Sequence, residues 1–433
     1  MRNGVLVADP ADSDGPSVGW PATPPKVATT AQLPSPPALP RVKVLHVITR
    51  FTAGAGGNTL LSAAGMDPER YEVWIAGVPG GDLWAQARRA GVHTVEVAGF
   101  RHTLSPVDLL VLWRLARLVR RERFTVVHTH SGKGGFLGRV AARLCRTPVV
   151  VHTFHGVSFH PYQPRARRTA YRLLERTTRR FTHQFLAVAP RVAEQAVEER
   201  LAPPGRVRVV PSAVDVGHIP GHFDPSARRL LGVPRATALV GTVGRIDVQK
   251  APLDFVRMAA ALQARRPGTA FVMIGDGPLE REVRRLARAL DVEVILMGHR
   301  EDSARLVAGL DVFVITSLYE GLGRALTEAL AAARPVVATA VNGVPDLVEH
   351  GATGLLVPPA DPDAAARAVG WLLDHPRESA GMGRQGRDRV RGAFTPQAMC
   401  TAVDACYRQL LGLAPPSDGP VPGSRRPRRT PCV

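Results

Sequence analysis

Between residues 41 and 412 the chain alternates short, nearly continuous apolar runs with longer stretches in which apolar residues recur every three or four positions. The runs "VKVLHVI", "YEVWIAGV", "FTVVHTH", "TPVVVHTFHG" and "HQFLAVA" are rich in β-branched residues and have strand length. Among the stretches that separate them, "SPVDLLVLWRLARLVRRERF" has the period of a helix. After about Pro211 the alternation begins again, with "TALVGTVG", "AFVMIGDG", "VEVILMGH", "DVFVITS", "RPVVATA" and "GLLVPP". Strands that lack polar alternation are buried on both faces, as in parallel sheets covered by helices. The pattern predicts an α/β chain with two doubly wound units in series. They are joined by the segment from about Ser212 to Arg235, which holds Pro220, Pro225 and Pro234. Sheets of this kind bind ligands at the carboxyl ends of their strands, so the expected site is the cleft where the units face one another.

Composition narrows the class. The 433 residues are 45% hydrophobic, and no apolar run approaches the roughly 18 residues of a membrane span. Asp9, Asp12 and Asp14 interrupt the N-terminus where a signal peptide needs an apolar core, so a cytoplasmic location is expected. Cys145, Cys400, Cys406 and Cys432 form no CxxC pair, which argues against a structural zinc and a disulfide framework. Residues 1–40 and 413–433 are rich in proline and poor in aromatic residues and are expected to be disordered. Most of the net charge of +19 belongs to the intervening part, since residues 1–40 carry two basic and three acidic side chains and the basic tail 413–433 carries four basic and one acidic. A field of that sign suits an anionic ligand or an acidic membrane surface. Two predicted helices carry much of it: Leu109 to Arg123, with Arg114, Arg117, Arg120 and Arg121, and Arg165 to Phe181, with Arg168, Arg172, Arg176 and Arg180 along one stripe. Peripheral contact with an anionic inner-membrane face and an ordinary solvated helix are both consistent with such stripes. Nucleic-acid binding is not expected, because the stripes lack interleaved aromatics.

The stretch "SLYEGLGRALTEALA" carries the strongest chemical signal. If a helix begins near Gly323, the backbone N–H groups of Gly321, Leu322 and Gly323 lie at its N-terminus, which suits a phosphate. Glu320 and Glu328 can then face one pocket, each accepting hydrogen bonds from neighbouring sugar hydroxyls. From spacing alone, complementing the helix dipole is an equal reading of Glu328. In "TALVGTVGRIDVQKAP", Arg245 and Lys250 follow a strand, where two fixed cations could hold a diphosphate. In the first unit, His128, His130, His152, His155 and His160 gather at the ends of two adjacent strands. No metal site is expected there, because no HxxxH helix or supporting carboxylate accompanies them.

In their order, "VGRIDVQK", "VMIGDGPLEREV", "MGHRED", "SLYEGLGRALTEAL" and "NGVPDLVEHGATGLLVPP" resemble the nucleotide-sugar domain of retaining glycosyltransferases of family 4, also called group 1. The first half resembles the same family through "HTHSGKGGFLGRVAARL" and "HTFHGVSFHP". The resemblance implies a GT-B fold: two Rossmann-like domains, an acceptor domain over about 41–215 and a donor domain over about 216–395, followed by a helix over 396–412. It implies that Glu320 contacts donor-sugar hydroxyls, Glu328 binds the ribose, and Arg245 and Lys250 hold the diphosphate. It also implies that His155 faces the donor from the first domain and that Gly56 and Gly57 let the backbone approach the phosphates. Asn58, on the acceptor side, and Ala251, where glycine is frequent, depart from the family pattern.

The implied partners are a nucleotide-sugar donor, with UDP carrying glucose or N-acetylglucosamine favoured, and a hydroxylated acceptor. That acceptor is a glycan, a lipid-linked saccharide or an amino-sugar intermediate, and neither cofactor nor metal is expected. The competing readings are an enzyme resembling UDP-N-acetylglucosamine 2-epimerase and a non-catalytic nucleotide-sugar or membrane-binding protein.

Overall fold

A computed structural model of the chain describes residues 41–413 except 53, 101–104 and 131. The two tails expected to be disordered lie outside the described residues, save for Leu413. The strands of the first sheet are β1 (Val42–Ile48), β2 (Tyr71–Gly77), β3 (His93–Glu96), β4 (Val126–His130), β5 (Val149–Phe154), β6 (Gln184–Ala187) and β7 (Val207–Val209). Those of the second are β8 (Leu239–Val243), β9 (Ala270–Ile274), β10 (Val294–Leu296), β11 (Val312–Ile315), β12 (Val336–Thr339) and β13 (Leu355–Val357).

Every strand pair is parallel. The strand orders are β3-β2-β1-β4-β5-β6-β7 and β10-β9-β8-β11-β12-β13. The order reverses between β1 and β4 in one sheet and between β8 and β11 in the other, and a crevice opens at each reversal. The apolar runs explain the sheets: every residue of β4, β5, β11 and β12 is buried. The short strands β3 and β7 did not stand out in the sequence. Both are edge strands made of partly exposed residues, so their composition lacks a run of core side chains.

The helix expected after residue 105 spans Asp108–Glu122 and buries Val111, Leu115, Leu118 and Val119, one stripe at helical spacing. It stops where Arg123 turns left-handed, at φ 54°. The last helix, Pro396–Leu410, opens on Thr395, whose Oγ1 accepts from the Ala398 N–H at 3.2 Å. It packs on the first sheet. Tyr407 is wholly buried and lies 2.6 Å from His128 Nδ1, while Tyr71 Oη donates to Asp404 at 2.7 Å. The chain therefore passes between the domains twice, and the two passages touch, because the Val214 N–H donates to the Phe394 carbonyl at 3.0 Å.

A buried ion pair ties together the helices on one face of the first sheet. Arg139, on the helix Gly132–Leu144, meets Glu175, on the helix Arg165–Thr178, and neither is more than 2% exposed. Ser158 joins them: its Oγ donates to Glu175 Oε1 at 3.3 Å and accepts from the Gly132 N–H at 2.8 Å.

Candidate functional site

The segment that joins β11 to the helix Arg324–Ala331 is held from several sides. Thr316 Oγ1 donates to the Lys250 and Ala251 carbonyls at 2.9 and 3.1 Å, and the Leu318 N–H donates to the Gln249 carbonyl at 2.8 Å. The Glu320 N–H donates to Asn342 Oδ1 at 3.0 Å. Gly323 caps the helix at φ 91°, a left-handed conformation that suits glycine. Among the described residues, the N–H groups of Gly321, Leu322 and Gly323 make no hydrogen bond, so they remain donors for an anion.

Glu320 and Glu328 are both buried, with 7% and 8% of their surface exposed, which dipole complementation on a solvated helix does not require. Glu320 pairs with the Lys250 ammonium, and its Oε1 accepts from Ser317 Oγ at 2.7 Å. Glu328 Oε1 accepts from Arg324 Nε at 2.8 Å. Lys250 and Glu320 thus come together at the reversal between β8 and β11. Arg245 sits at the more open rim and pairs with Asp247, whose carboxylate also accepts from the Lys250 N–H at 3.3 Å. Ala251 adopts φ 45°, ψ 55°. A glycine would hold that turn without strain, yet alanine keeps it and Lys250 still reaches Glu320.

The first domain meets this segment directly. His155 and Gly156 follow β5 and lie against Gly321, where even one methyl group would overlap the His155 carbonyl oxygen. A methyl on Gly57 would likewise overlap the Arg324 guanidinium, so glycine at 57 makes room for a side chain of the other domain. The rings of His160 and Tyr319 stack across the cleft with centroids 3.9 Å apart. Asn342 Nδ2 donates to Gln195 at 3.2 Å, and the Arg191 N–H donates to Asp346 at 2.8 Å. Asn58, expected on the acceptor side, is buried, and its carboxamide oxygen accepts from the Ala213 N–H at 3.1 Å, holding the passage between the domains.

Sequence reasoning did not single out Arg324, Ser317, Tyr319, Asn342 or His46. Arg324 and Tyr319 flank Glu320 inside the quoted stretch, and the density of polar side chains in that turn was the available signal. Of the histidines gathered at the strand ends, His128, His130 and His152 are buried, and His160 is half-buried. Of the basic stripes, Arg172 and Arg176 both pair with Glu199, and Arg114 donates to the Ala98 carbonyl, so part of that charge is used within the fold. Leu109, Leu110 and Trp113 project outward from the helix Asp108–Glu122, with Arg117 over the Trp113 ring. Among the described residues no helix is long and apolar enough to cross a membrane.

Residues 237–375 match the family described as glycosyl transferases group 1, and residues 52–218 match the one described as glycosyltransferase family 4. A UDP-Gal:alpha-D-GlcNAc-diphosphoundecaprenol alpha-1,3-galactosyltransferase of Escherichia coli is 31% identical over 274 residues, covering 62% of this chain and 71% of that one. A 2-deoxystreptamine N-acetyl-D-glucosaminyltransferase of Streptomyces fradiae is 32% identical over 310 residues, covering 66% and 73%. Among solved structures, Anabaena HepE in complex with UDP and glucose superposes with a TM-score of 0.74 at 17% identity, covering 85% of this chain and all of that one.

Proposed function

Because the chain belongs to the group 1 glycosyltransferases and has their GT-B fold, we propose that it is a retaining hexosyltransferase that uses a UDP-sugar. The observation that supports this best is the meeting of Lys250 and Glu320 with the His155–Gly156 turn in one cleft. In this reading Glu320 orients the hydroxyls of the hexose and Glu328 holds the ribose. Lys250, Arg245 and the amides of Gly321 to Gly323 carry the diphosphate charge without a metal. The acceptor oxygen attacks the anomeric carbon from the face that UDP leaves. The bond from that carbon to the diphosphate oxygen breaks, and the acceptor proton passes to the departing phosphate.

Of the relatives named above, one transfers galactose from UDP-galactose to a GlcNAc-diphosphoundecaprenol, and the other is an N-acetyl-D-glucosaminyltransferase of 2-deoxystreptamine. The outward Leu109, Leu110 and Trp113 favour the lipid-linked class, handled at an anionic membrane surface.

The reading is tested by incubating the protein with UDP-galactose, UDP-glucose and UDP-N-acetylglucosamine and following release of UDP, with and without EDTA. One donor is expected to be hydrolysed slowly without an acceptor, at a rate that chelation leaves unchanged. His155→Ala should keep UDP affinity and lose most of that turnover, whereas equal loss of both would make His155 a support for its strand end.

Glu328→Ala is expected to weaken UDP binding by about 1.5–3 kcal/mol, the range for a hydrogen bond to a charged acceptor. Titration calorimetry with UDP decides it, and an unchanged affinity would assign Glu328 to Arg324 alone.

A further inference from the structure

Three imidazoles run in a hydrogen-bonded line from the interior of the first sheet to the cleft. His46 Nδ1 lies 2.9 Å from His130 Nε2, and His130 Nδ1 lies 3.0 Å from His155 Nε2. His46 and His130 are buried on the adjacent strands β1 and β4, where the strand order reverses: His130 ends β4, and His46 stands opposite His128, two residues before the end of β1. His155 is partly exposed and, among the described residues, its Nδ1 makes no hydrogen bond. Burial lowers the pKa of His46 to about 3 and of His155 to about 4, and holds His130 well below the ordinary histidine value, so near pH 7 all three are neutral.

A neutral imidazole has one N–H and one bare nitrogen, so the line admits two arrangements. In one, His155 donates inward through Nε2, His130 donates to His46, and His46 is left with an N–H on Nε2. In the other, His46 donates to His130, His130 donates to His155, and the proton of His155 sits on Nδ1. His46 Nε2 decides between them, because among the described residues it is buried without a partner. A buried N–H with no acceptor is rarer and more costly than an unused lone pair. The second arrangement follows.

We propose that His46 and His130 are positioning residues, whose chain fixes His155 as its Nδ1–H tautomer and so presents a permanent hydrogen-bond donor to the bound sugar nucleotide. This rests on the reading of His155 as a donor-facing residue. The cluster with His128 does not suit a metal as well. One nitrogen of each of the three rings lies within 4.8 Å of the others, yet the rings of His46 and His130 stack within 14° of parallel and bond to each other through Nδ1 and Nε2. Both nitrogens of His128 are also engaged, by Tyr407 and Thr153.

The test begins with the unsubstituted protein. With histidine labelled by 15N, long-range proton–nitrogen spectra at neutral pH, assigned by the signals that His155→Ala removes, report the tautomer without any substrate. The Nδ1–H form is expected, the less common one for a solvated histidine, so finding it would not be the default result. An Nε2–H form would overturn the proposal.

Two substitutions then separate positioning from packing. The amide of asparagine reaches the place of Nδ1, and that of glutamine the place of Nε2. His130→Asn should keep the His155 tautomer, with turnover lowered less than about threefold, while His130→Gln should lower turnover by on the order of tenfold or more with little change in donor KM. Equal losses in the two, or a tautomer unmoved by His130→Gln, would overturn it, as would one tightly bound zinc per chain after metal loading of the unsubstituted protein. If the tautomer is as expected but His155→Ala transfers sugar normally, the chain stands and only the donor-facing reading of His155 fails.

Discussion

Lys250→Ala is expected to reduce turnover by about a hundredfold or more, the scale of removing one preorganised stabiliser of developing charge. The ammonium stands at the reversal between β8 and β11, fixed by the Thr316 hydroxyl on its own carbonyl and by Asp247 on its N–H. No reorganisation is needed when negative charge builds on the departing diphosphate. Its loss acts twice, because Glu320 is buried against it and would then face the diphosphate as an uncompensated anion. Steady-state release of UDP measures the effect. A rise in donor KM with unchanged kcat would mean that Lys250 serves binding alone.

Glu175→Ala is expected to destabilise the first domain by about 3–5 kcal/mol, the usual cost of removing one partner from a buried ion pair. Arg139 is wholly buried, and among the described residues its Nη1 has no partner even in the intact protein. Without Glu175 its remaining hydrogen bond among the described residues is from Nε to the Gly135 carbonyl, at 2.8 Å, which does not neutralise a guanidinium. A loss of that size is a large share of the roughly 5–15 kcal/mol that separates folded from unfolded domains. Denaturant midpoints in urea measure it, and a shift worth under about 1 kcal/mol would show that water reaches Arg139 in solution.

The two parallel sheets were legible because a strand covered on both faces is written as an unbroken apolar run, and β4, β5, β11 and β12 are such strands. The place of the candidate donor-side residues was legible for a related reason: Arg245, Lys250 and Glu320 lie in the segments that leave the ends of β8 and β11, and Glu328 lies on the helix that comes next, so local order along the chain fixes their place. What stayed hidden depends on residues far apart in sequence. Gly57 meets Arg324, His160 stacks on Tyr319, and His128 meets Tyr407 across 279 positions. No local periodicity encodes such meetings. His46 was hidden differently, since inside "VKVLHVI" it reads as one polar interruption of a strand, and its meaning appears only once β4 lies beside β1.

The two passages between the domains, joined at Val214 and Phe394, make the second domain an insertion within the first, with its entry and exit side by side. A connection of one strand would let the domains swivel. Two adjoining strands act as a two-ply strap that resists torsion and leaves bending as its soft mode. Any opening of the cleft would then follow a single arc, and closing would return Gly321 to the His155 carbonyl against which it lies. A break in either ply alone would leave the halves tethered by the other.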